Sequence, residues 1–220
     1  MSDIISENPK TTSTSSTRAN AGVLGLDHQR LFYLHDLTDY KVHHDDPDVR
    51  GWTVKLGNGT SIGKIENLVV DKAAQKVRYV EVTADTSFFS SYDRDDYYLD
   101  RDSDRVYGAD HDSHFLVPIG MVRLDRSDNE CYVEGIAGES MGSVPRYRRG
   151  TQLRPSYEVS TLGHYQGQGV DVGRGYDEAR YRDFEDGKYR SLDDQFYTSG
   201  YFNDDRYYDR HREAQTSASL

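Results

Sequence analysis

The sequence predicts a mainly β domain in the middle of the chain. Short runs of β-branched and aromatic residues recur between residues 52 and 136, and tight-turn residues separate them. Apolar residues concentrate between about Leu31 and Ile136, whereas both flanks are poor in aliphatic side chains. We therefore expect one modest hydrophobic core with disordered ends.

The first and third predicted strands are marked by composition and a turn signal. Trp52, Val54 and Leu56 alternate with polar residues, which is the period-2 pattern of a half-buried strand. The Asn-Gly pair at 58–59 follows, and this pair between apolar runs is a strong hairpin signal. Residues 77–82 are again rich in β-formers, so they predict the third strand.

The run between them, residues 62–71, predicts a bent strand. Its apolar residues stop alternating midway, close to Gly63 and Asn67. A bulge or a sharp bend there restores the register, as strands that curl into a barrel often require.

A further pair of strands is predicted downstream. Residues 114–120 form an apolar run that contains Pro118, which lacks a backbone N–H and therefore favours a sheet edge or a bulge. Residues 121–124 and the stretch from Cys131 to Ile136 flank a polar turn, so we expect a hairpin. Cys131 is the single cysteine, and in this strand we expect a buried and inert thiol.

These stretches resemble the PRC-barrel domain family, over roughly Leu31 to Tyr147. The similarity is carried by the segments GWTV, NGTSIGKIENLVVDK, KVRYVEV and HFLVPIG. The family includes the cytoplasmic domain of the photosynthetic reaction centre H subunit, the C-terminal domain of a ribosome maturation factor and stand-alone bacterial proteins. The resemblance implies a small, strongly bent β-barrel that acts as an interaction and assembly module. It implies no catalytic residues, since the family shares no active site.

The predicted organisation has three parts. Residues 1–30 are rich in Ser, Thr and Asn, which predicts a disordered N-terminal segment. Residues 31–149 form the predicted barrel domain, with a long acidic insertion at 87–113. Residues 150–220 interleave Tyr and Gly with charges of both signs, which predicts a flexible tail that either stays disordered or folds on a partner.

The charge balance and the absence of long apolar runs exclude several partners. The net charge is −11 with no basic stripe, which argues against nucleic acid and against anionic membrane surfaces. No run of residues is apolar and long enough for a transmembrane helix, and the N-terminus lacks the apolar region of a secretory signal. We expect a cytoplasmic protein without membrane insertion.

The acidic insertion contains one candidate metal site. Asp100, Asp102 and Asp104 match the first ligands of an EF-hand calcium loop. The match then fails, because Arg105 stands where the loop has glycine and His111 where it has a bidentate glutamate. A solvated acidic loop is the favoured interpretation, and calcium binding is the alternative.

Two histidine-containing runs are weaker metal candidates. In the run at 43–46, two histidines precede two aspartates, but neighbours in an extended chain point to opposite faces. We interpret this run as a polar loop. His111 and His114 form one further pair, and one pair of histidines is not a site.

Aromatic residues supply the candidate interaction sites. Tyrosine, tryptophan and arginine are enriched at binding hot spots. Trp52, the only tryptophan, falls early in the first barrel strand, where one strand face should meet solvent. In the tail, the candidates are Tyr201, Phe202, Tyr207 and Tyr208.

The sequence favours a binding module over an enzyme. It contains no Walker A loop, no H-E-x-x-H motif and no G-x-G-x-x-G that opens a helix, so we expect neither catalysis nor a cofactor. We expect a module for protein–protein interaction, homodimeric through the barrel, and resemblance suggests a stress association. The alternatives are a divalent-cation-responsive protein using the acidic insertion and, third, a ribosome-maturation-like adaptor.

Overall fold

The computed structural model describes the barrel and much of the C-terminal region. The described residues are 5–7, 30–44, 46–89, 114–148, 152–170, 172, 177–181 and 192–208. Most of the acidic insertion lies outside them, as does the greater part of residues 1–30.

Short strands and helices build the described part of the chain. The strands are β1 (Ile5–Glu7), β2 (Leu31–Tyr33), β3 (Tyr40–Val42), β4 (Thr53–Leu56), β5 (Ser61–Asp71), β6 (Lys76–Ala84), β7 (His114–Pro118), β8 (Val122–Asp125) and β9 (Glu130–Val133). The α-helices are α1 (Thr86–Phe89), α2 (Gly138–Met141), α3 (Pro155–Gly167), α4 (Glu178–Tyr181) and α5 (Asp205–Tyr208). Single 3-10 turns span Leu34–Asp36, Ile119–Met121, Phe196–Thr198 and Gly200–Phe202.

Strands β2 and β4–β9 form one curled sheet. Its hydrogen-bonded order is β7-β6-β5-β4-β9-β8, and β2 pairs with the end of β5. Neighbouring strands are antiparallel except β4 and β9, which run parallel. The two end strands, β7 and β8, are joined by the short turn Ile119–Met121, so the sheet must curl to bring its ends together. Among the described residues no ladder joins β7 to β8, and the barrel is open there.

This architecture confirms the mainly β class and the predicted turns. The Leu56 N–H donates to the Thr60 carbonyl at 2.9 Å, which closes the predicted Asn-Gly hairpin. β8 and β9 pair as the predicted second hairpin. Pro118 is the last residue of β7, which lies at one end of the strand order as the missing N–H predicts.

The predicted bend in β5 is also present. The register between β5 and β6 shifts between Ile65 and Asn67 and again between Val69 and Val70. At Gly63 the backbone passes so close to β6 that a Cβ would lie 2.2 Å from the Thr83 carbonyl oxygen. Glycine is therefore the residue that allows β5 to fold over β6 at this point.

Gly63→Ala should destabilise the barrel by about 2 kcal/mol, because the added methyl group meets a backbone oxygen that cannot move aside. The measurement is the free energy of unfolding in urea. Gly57→Ala is the matched control, since nothing lies within 4 Å of a Cβ at Gly57. Equal losses in the two variants would contradict the close approach of β5 to β6.

The barrel core contains the predicted thiol. Cys131 is buried and unpaired in β9, and burial raises the pKa of its thiol. A neutral, inaccessible thiol is a weak nucleophile, so the prediction of an inert cysteine agrees with its surroundings.

Strand β6 is covered on both faces. Residues Val77–Val82 are all buried, including the polar side chains Arg78 and Glu81. Tyr79 and Glu81 lie two residues apart and therefore on one face, and both hydrogen-bond residues that follow the barrel strands. A second layer of structure must therefore cover this face of the sheet.

That second layer comes from the stretch predicted to be a flexible tail. Helix α3 and the C-terminal segment, defined as residues 192–208, pack against the barrel. Their most deeply buried apolar and aromatic side chains are Leu162, Tyr165, Phe196 and Tyr201, each no more than 1% exposed. Within the predicted tail, these two segments lie against the barrel, and aromatic side chains fill the place of the aliphatic ones that the sequence lacks.

Residues that follow the barrel strands also cover both ends of the open sheet. Tyr147 forms a β-bridge with His114 in β7, and the Tyr165 hydroxyl donates to the Leu116 carbonyl at 3.0 Å. At the other end, α5 lies against β8. At the N-terminus, β1 pairs with β3, so this short part of the predicted disordered segment is a strand.

Candidate functional site

The Asp71 cluster lies at the junction of the barrel and the C-terminal segment. We define it as Asp71 at the end of β5, Arg78 in β6 and Arg30 just before β2. Asp71 Oδ2 accepts hydrogen bonds from Arg30 Nε at 2.8 Å and from Arg78 Nη2 at 3.0 Å. Its other oxygen accepts from the Ala74 backbone N–H at 3.1 Å. The fully buried carboxylate is therefore held by protein donors on both oxygens.

Two effects oppose each other at this carboxylate. Burial alone would raise the pKa of Asp71, because it disfavours the charged form. The hydrogen bonds from Arg30 and the Ala74 N–H, together with the guanidinium charge, outweigh burial and lower the pKa of Asp71. Asp71 is thus ionised at physiological pH, and its negative charge offsets one of the two positive charges of the cluster.

Arg30 extends the cluster to the C-terminal segment. Its Nη1 lies 2.7 Å from Asp194 Oδ1 and donates to the Leu192 carbonyl at 3.3 Å. One arginine therefore bridges a buried aspartate of the barrel and the first turn of the segment.

The Tyr197 ring packs against both guanidinium groups of the cluster. Its centroid is 4.3 Å from Arg30 Cζ and 4.7 Å from Arg78 Cζ. Phe202 packs beside it, at 5.0 Å between ring centroids, and meets the Tyr79 ring edge-on at 5.3 Å. Cation–π contacts of this kind are stronger where the cation is partly desolvated, as both arginines are.

The Glu158 cluster lies next to it and consists of Glu158 in α3, Tyr79 in β6 and Tyr197. Both tyrosine hydroxyls donate to Glu158 Oε2, at 3.0 Å from Tyr79 and 2.7 Å from Tyr197. Burial raises the pKa of Glu158 to about 7, although the two hydroxyl donors and the Arg30 charge lower it. A single oxygen of Glu158 therefore connects α3 to both the barrel and the C-terminal segment.

Gly120 lets the C-terminal segment approach the barrel closely. A Cβ at Gly120 would lie 2.2 Å from the Gly200 carbonyl oxygen and 2.8 Å from that of Tyr201. The segment backbone thus lies directly on the turn that joins β7 to β8.

A third buried acid, Glu81, contacts other residues that cover this face of β6. Glu81 accepts a hydrogen bond from the Tyr147 hydroxyl at 2.7 Å, and Tyr33 donates to Tyr147 at 3.3 Å. Tyr157 packs edge-on against Tyr147 and donates to the Pro145 carbonyl at 2.8 Å. Tyrosine hydroxyls therefore pair the buried polar groups along this face of β6.

The predicted interaction residues take different places in the structure. Trp52 directly precedes β4 and is half-buried against the core. Tyr201, Phe202 and Tyr207 are buried on the barrel of their own chain, so in this conformation they are not presented to a partner. The side chain of Tyr208 lies outside the described part.

The predicted calcium ligands Asp100, Asp102 and Asp104 also lie outside the described residues. Within the part that the structure does describe, no three His, Cys, Asp or Glu side chains converge in a way that could hold a metal ion. The His43 and His44 rings lie 4.3 Å apart in the loop before β4.

One motif that the sequence reasoning overlooked is a G-x-S-x-G pattern at 138–142. In hydrolases this serine occupies a strained turn between a strand and a helix. Ser140 instead lies inside the single-turn helix α2, and His164 hydrogen-bonds its backbone rather than activating its hydroxyl. The pattern does not have the geometry of a nucleophile elbow.

The two clusters tie together parts of the chain that are distant in sequence. Their charged and hydroxyl groups are buried and engaged with one another across elements distant in sequence. Such an arrangement fixes one segment on another with high geometric specificity.

Sequence reasoning missed Asp71, Glu158 and Arg30. Asp71 follows the apolar residues 68–70, and a charge at the end of a buried strand was the available signal. In α3 the buried positions are Glu158, Thr161, Leu162 and Tyr165, a helical face whose polar members conceal the apolar period. Nothing local marks Arg30 as their partner.

The open, bent sheet and its covered edges define the class of protein: a small curled barrel with an aromatic second layer. Residues 41–139 match the family model of the PRC-barrel domain, which confirms the resemblance. The matched stretch contains β4 to β9, and α3 and the C-terminal segment lie beyond it. A search of the curated proteins found no significant match. None of the described helices has the length and apolar character needed to cross a membrane.

Proposed function

We propose that this chain is a non-catalytic binding and assembly module that mediates protein–protein interaction through its PRC-barrel. The observation that supports this most strongly is the barrel surface around Asp71 and Gly120, which already binds an aromatic segment. Surfaces that combine desolvated arginines with aromatic pockets are typical of binding hot spots.

The charged groups of the barrel support the same proposal. Asp71 and Glu158, the acids at the junction, accept hydrogen bonds that hold separate segments of the chain together. A general base must instead reach a substrate proton. We place the protein in the cytoplasm, where the unpaired Cys131 suits a reducing environment, and a stress association rests on resemblance alone.

We further propose that the protein forms a homodimer through the barrel. Helices α3 and α5 cover β7 and β8. We therefore expect the dimer interface on the face near the half-buried Trp52 instead. Aromatic residues at such positions are favoured in interface cores.

Light scattering on the full chain should give twice the 25.2 kDa chain mass at micromolar concentrations, and Trp52 emission should shift on dilution. Trp52 is the single tryptophan, so its emission reports this surface alone. A single-chain mass at every concentration would refute the dimer and leave monomeric binding to be tested by other means.

A second candidate function uses the acidic insertion. Asp100, Asp102 and Asp104 carry the spacing of calcium ligands, and a divalent-cation response is the function they suggest. Calorimetry with calcium should give a binding signal in the parent chain that the triple Asp→Asn variant loses. A flat titration of the parent at millimolar calcium would remove this candidate.

A further inference from the structure

We propose that the barrel carries a recognition groove for a short aromatic–acidic segment of a partner protein, and that residues 192–208 occupy this groove as an internal stand-in. The groove is bounded by Arg30, Arg78, Tyr79 and Gly120. This inference rests on the proposed function as a binding module, and it names the chemistry of the partner.

The C-terminal segment is held in the manner of a bound peptide. Its own backbone hydrogen bonds are local, as in Tyr197 N–H to Asp194 O at 3.1 Å and Phe202 N–H to Ser199 O at 3.1 Å. Its attachment to the barrel instead runs through side chains, with Phe196 and Tyr201 almost fully buried. Recognition by side-chain anchors can be transferred to another chain that presents the same anchors.

The anchors define a pattern that a partner would need. Two adjacent aromatic residues, Phe196 and Tyr197, follow Asp194, and a second pair, Tyr201 and Phe202, follows Gly200. Each feature has a counterpart on the barrel. The Asp194 carboxylate pairs with Arg30, the Tyr197 ring packs against two guanidinium groups, and Gly200 lies against Gly120.

The groove is formed mainly by the barrel and by α3. Arg78 and Tyr79 are in β6, Gly120 is in the turn between β7 and β8, and Glu158 is in α3. The atoms nearest to a Cβ at Gly120 are all backbone atoms of Gly200 and Tyr201. The close approach at Gly120 is therefore to the segment.

The internal segment should weaken the binding of any partner to the groove. A tethered ligand has an effective concentration of about a millimolar, so an untethered segment of equal affinity must compete against that value. Disabling the internal segment should therefore uncover the groove and raise the apparent affinity for a free segment by orders of magnitude.

The test uses the full chain with Phe196→Ala and Phe202→Ala, which removes two anchors of the internal segment and leaves the groove residues unchanged. The added ligand is a fluorescent peptide with the native sequence of residues 192–208, followed by fluorescence anisotropy. We expect saturable binding to the variant and at least about 100-fold weaker binding to the wild-type chain. Introducing Gly120→Ala into the variant should abolish binding, because the methyl group meets the Gly200 carbonyl.

Peptide variants test the chemistry of the partner. Tyr197→Phe in the peptide should weaken binding about tenfold, since it removes a buried hydrogen bond to a carboxylate. Gln195→Ala in the peptide is the matched control, because Gln195 is exposed. The affinity of this peptide for the variant chain should not change. Equal effects of the two changes would overturn the proposed pattern.

If the folded variant does not bind the peptide, the proposed groove is contradicted. If the variant does not fold, excess peptide is added to the wild-type chain. The peptide should then displace the chain's own residues 192–208 and make them susceptible to protease; unchanged cleavage overturns the proposal.

A dimer of the wild-type chain that persists while peptide binding fails would leave the proposed function intact and reject only the groove. A dimer lost in the Phe196→Ala, Phe202→Ala variant would support the groove and identify a second copy as the source of the segment.

Discussion

Replacing Glu158 with glutamine should remove most of the pH dependence of stability near neutrality. The pKa of Glu158 is raised from 4.5 to about 7 in the folded chain. Between these values the folded state holds a proton that the unfolded state has released, so the stability of the wild type falls as pH rises. The fall should total about 3 kcal/mol and level off above the folded pKa.

The measurement is the free energy of unfolding in urea from about pH 5 to about pH 8 for both proteins. Glu158→Gln should gain stability relative to the wild type as pH rises, since an amide stays neutral throughout. Glu139→Gln, at an exposed position of α2, is the matched control and should follow the wild-type curve. Parallel curves for Glu158→Gln and the wild type would show that Glu158 is not buried between Tyr79 and Tyr197.

Replacing Asp71 with asparagine should destabilise the chain by about 3 kcal/mol, near the lower end of the range for removing one partner of a buried ion pair. The substitution leaves Arg30 and Arg78 without their shared carboxylate. Arg30 keeps Asp194 and the Leu192 carbonyl, which is why the loss should not be larger.

Asp48→Asn provides the comparison for this loss. Asp48 also pairs with an arginine, Arg50, but both side chains are substantially exposed. Exposed pairs contribute about 0–1 kcal/mol, so the control should lose little. Similar losses in Asp71→Asn and Asp48→Asn, measured by urea unfolding at neutral pH, would contradict a central role for the Asp71 cluster.

Local signals were sufficient to predict the turn after the first strand and the bend in the second. The Asn-Gly turn after Leu56 and the failed alternation near Gly63 each depend on neighbours in sequence, and both features occur where they were expected. The parallel pairing of β4 with β9 was not predicted, because it joins residues far apart in the chain.

The second layer escaped prediction for a physical reason. Sequence patterning counts aliphatic residues as core material, whereas this layer buries tyrosines whose hydroxyl groups find acceptors. Tyr165, Tyr197 and Tyr201 are buried in this way, with donors directed to Leu116, Glu158 and Val170 respectively. A tyrosine can be buried only where an acceptor is provided, and that acceptor comes from another element.

The candidate site could not be read from the sequence because its parts are separated. Arg30 and Asp71 lie 41 residues apart, and Tyr79 and Glu158 lie 79 apart. Each residue by itself resembles an ordinary surface charge or aromatic. Only the curled sheet, with α3 laid over β6, brings them into contact.

The central claim is that residues 192–208 are held on the barrel. Amide hydrogen exchange of the full chain, followed by mass spectrometry, tests it most directly. The account predicts that the amides of Tyr197 and Phe202 exchange about as slowly as those of α3, and far more slowly than in a free peptide of residues 192–208. Exchange at the rate of the free peptide, while β5 and β6 remain protected, would contradict it.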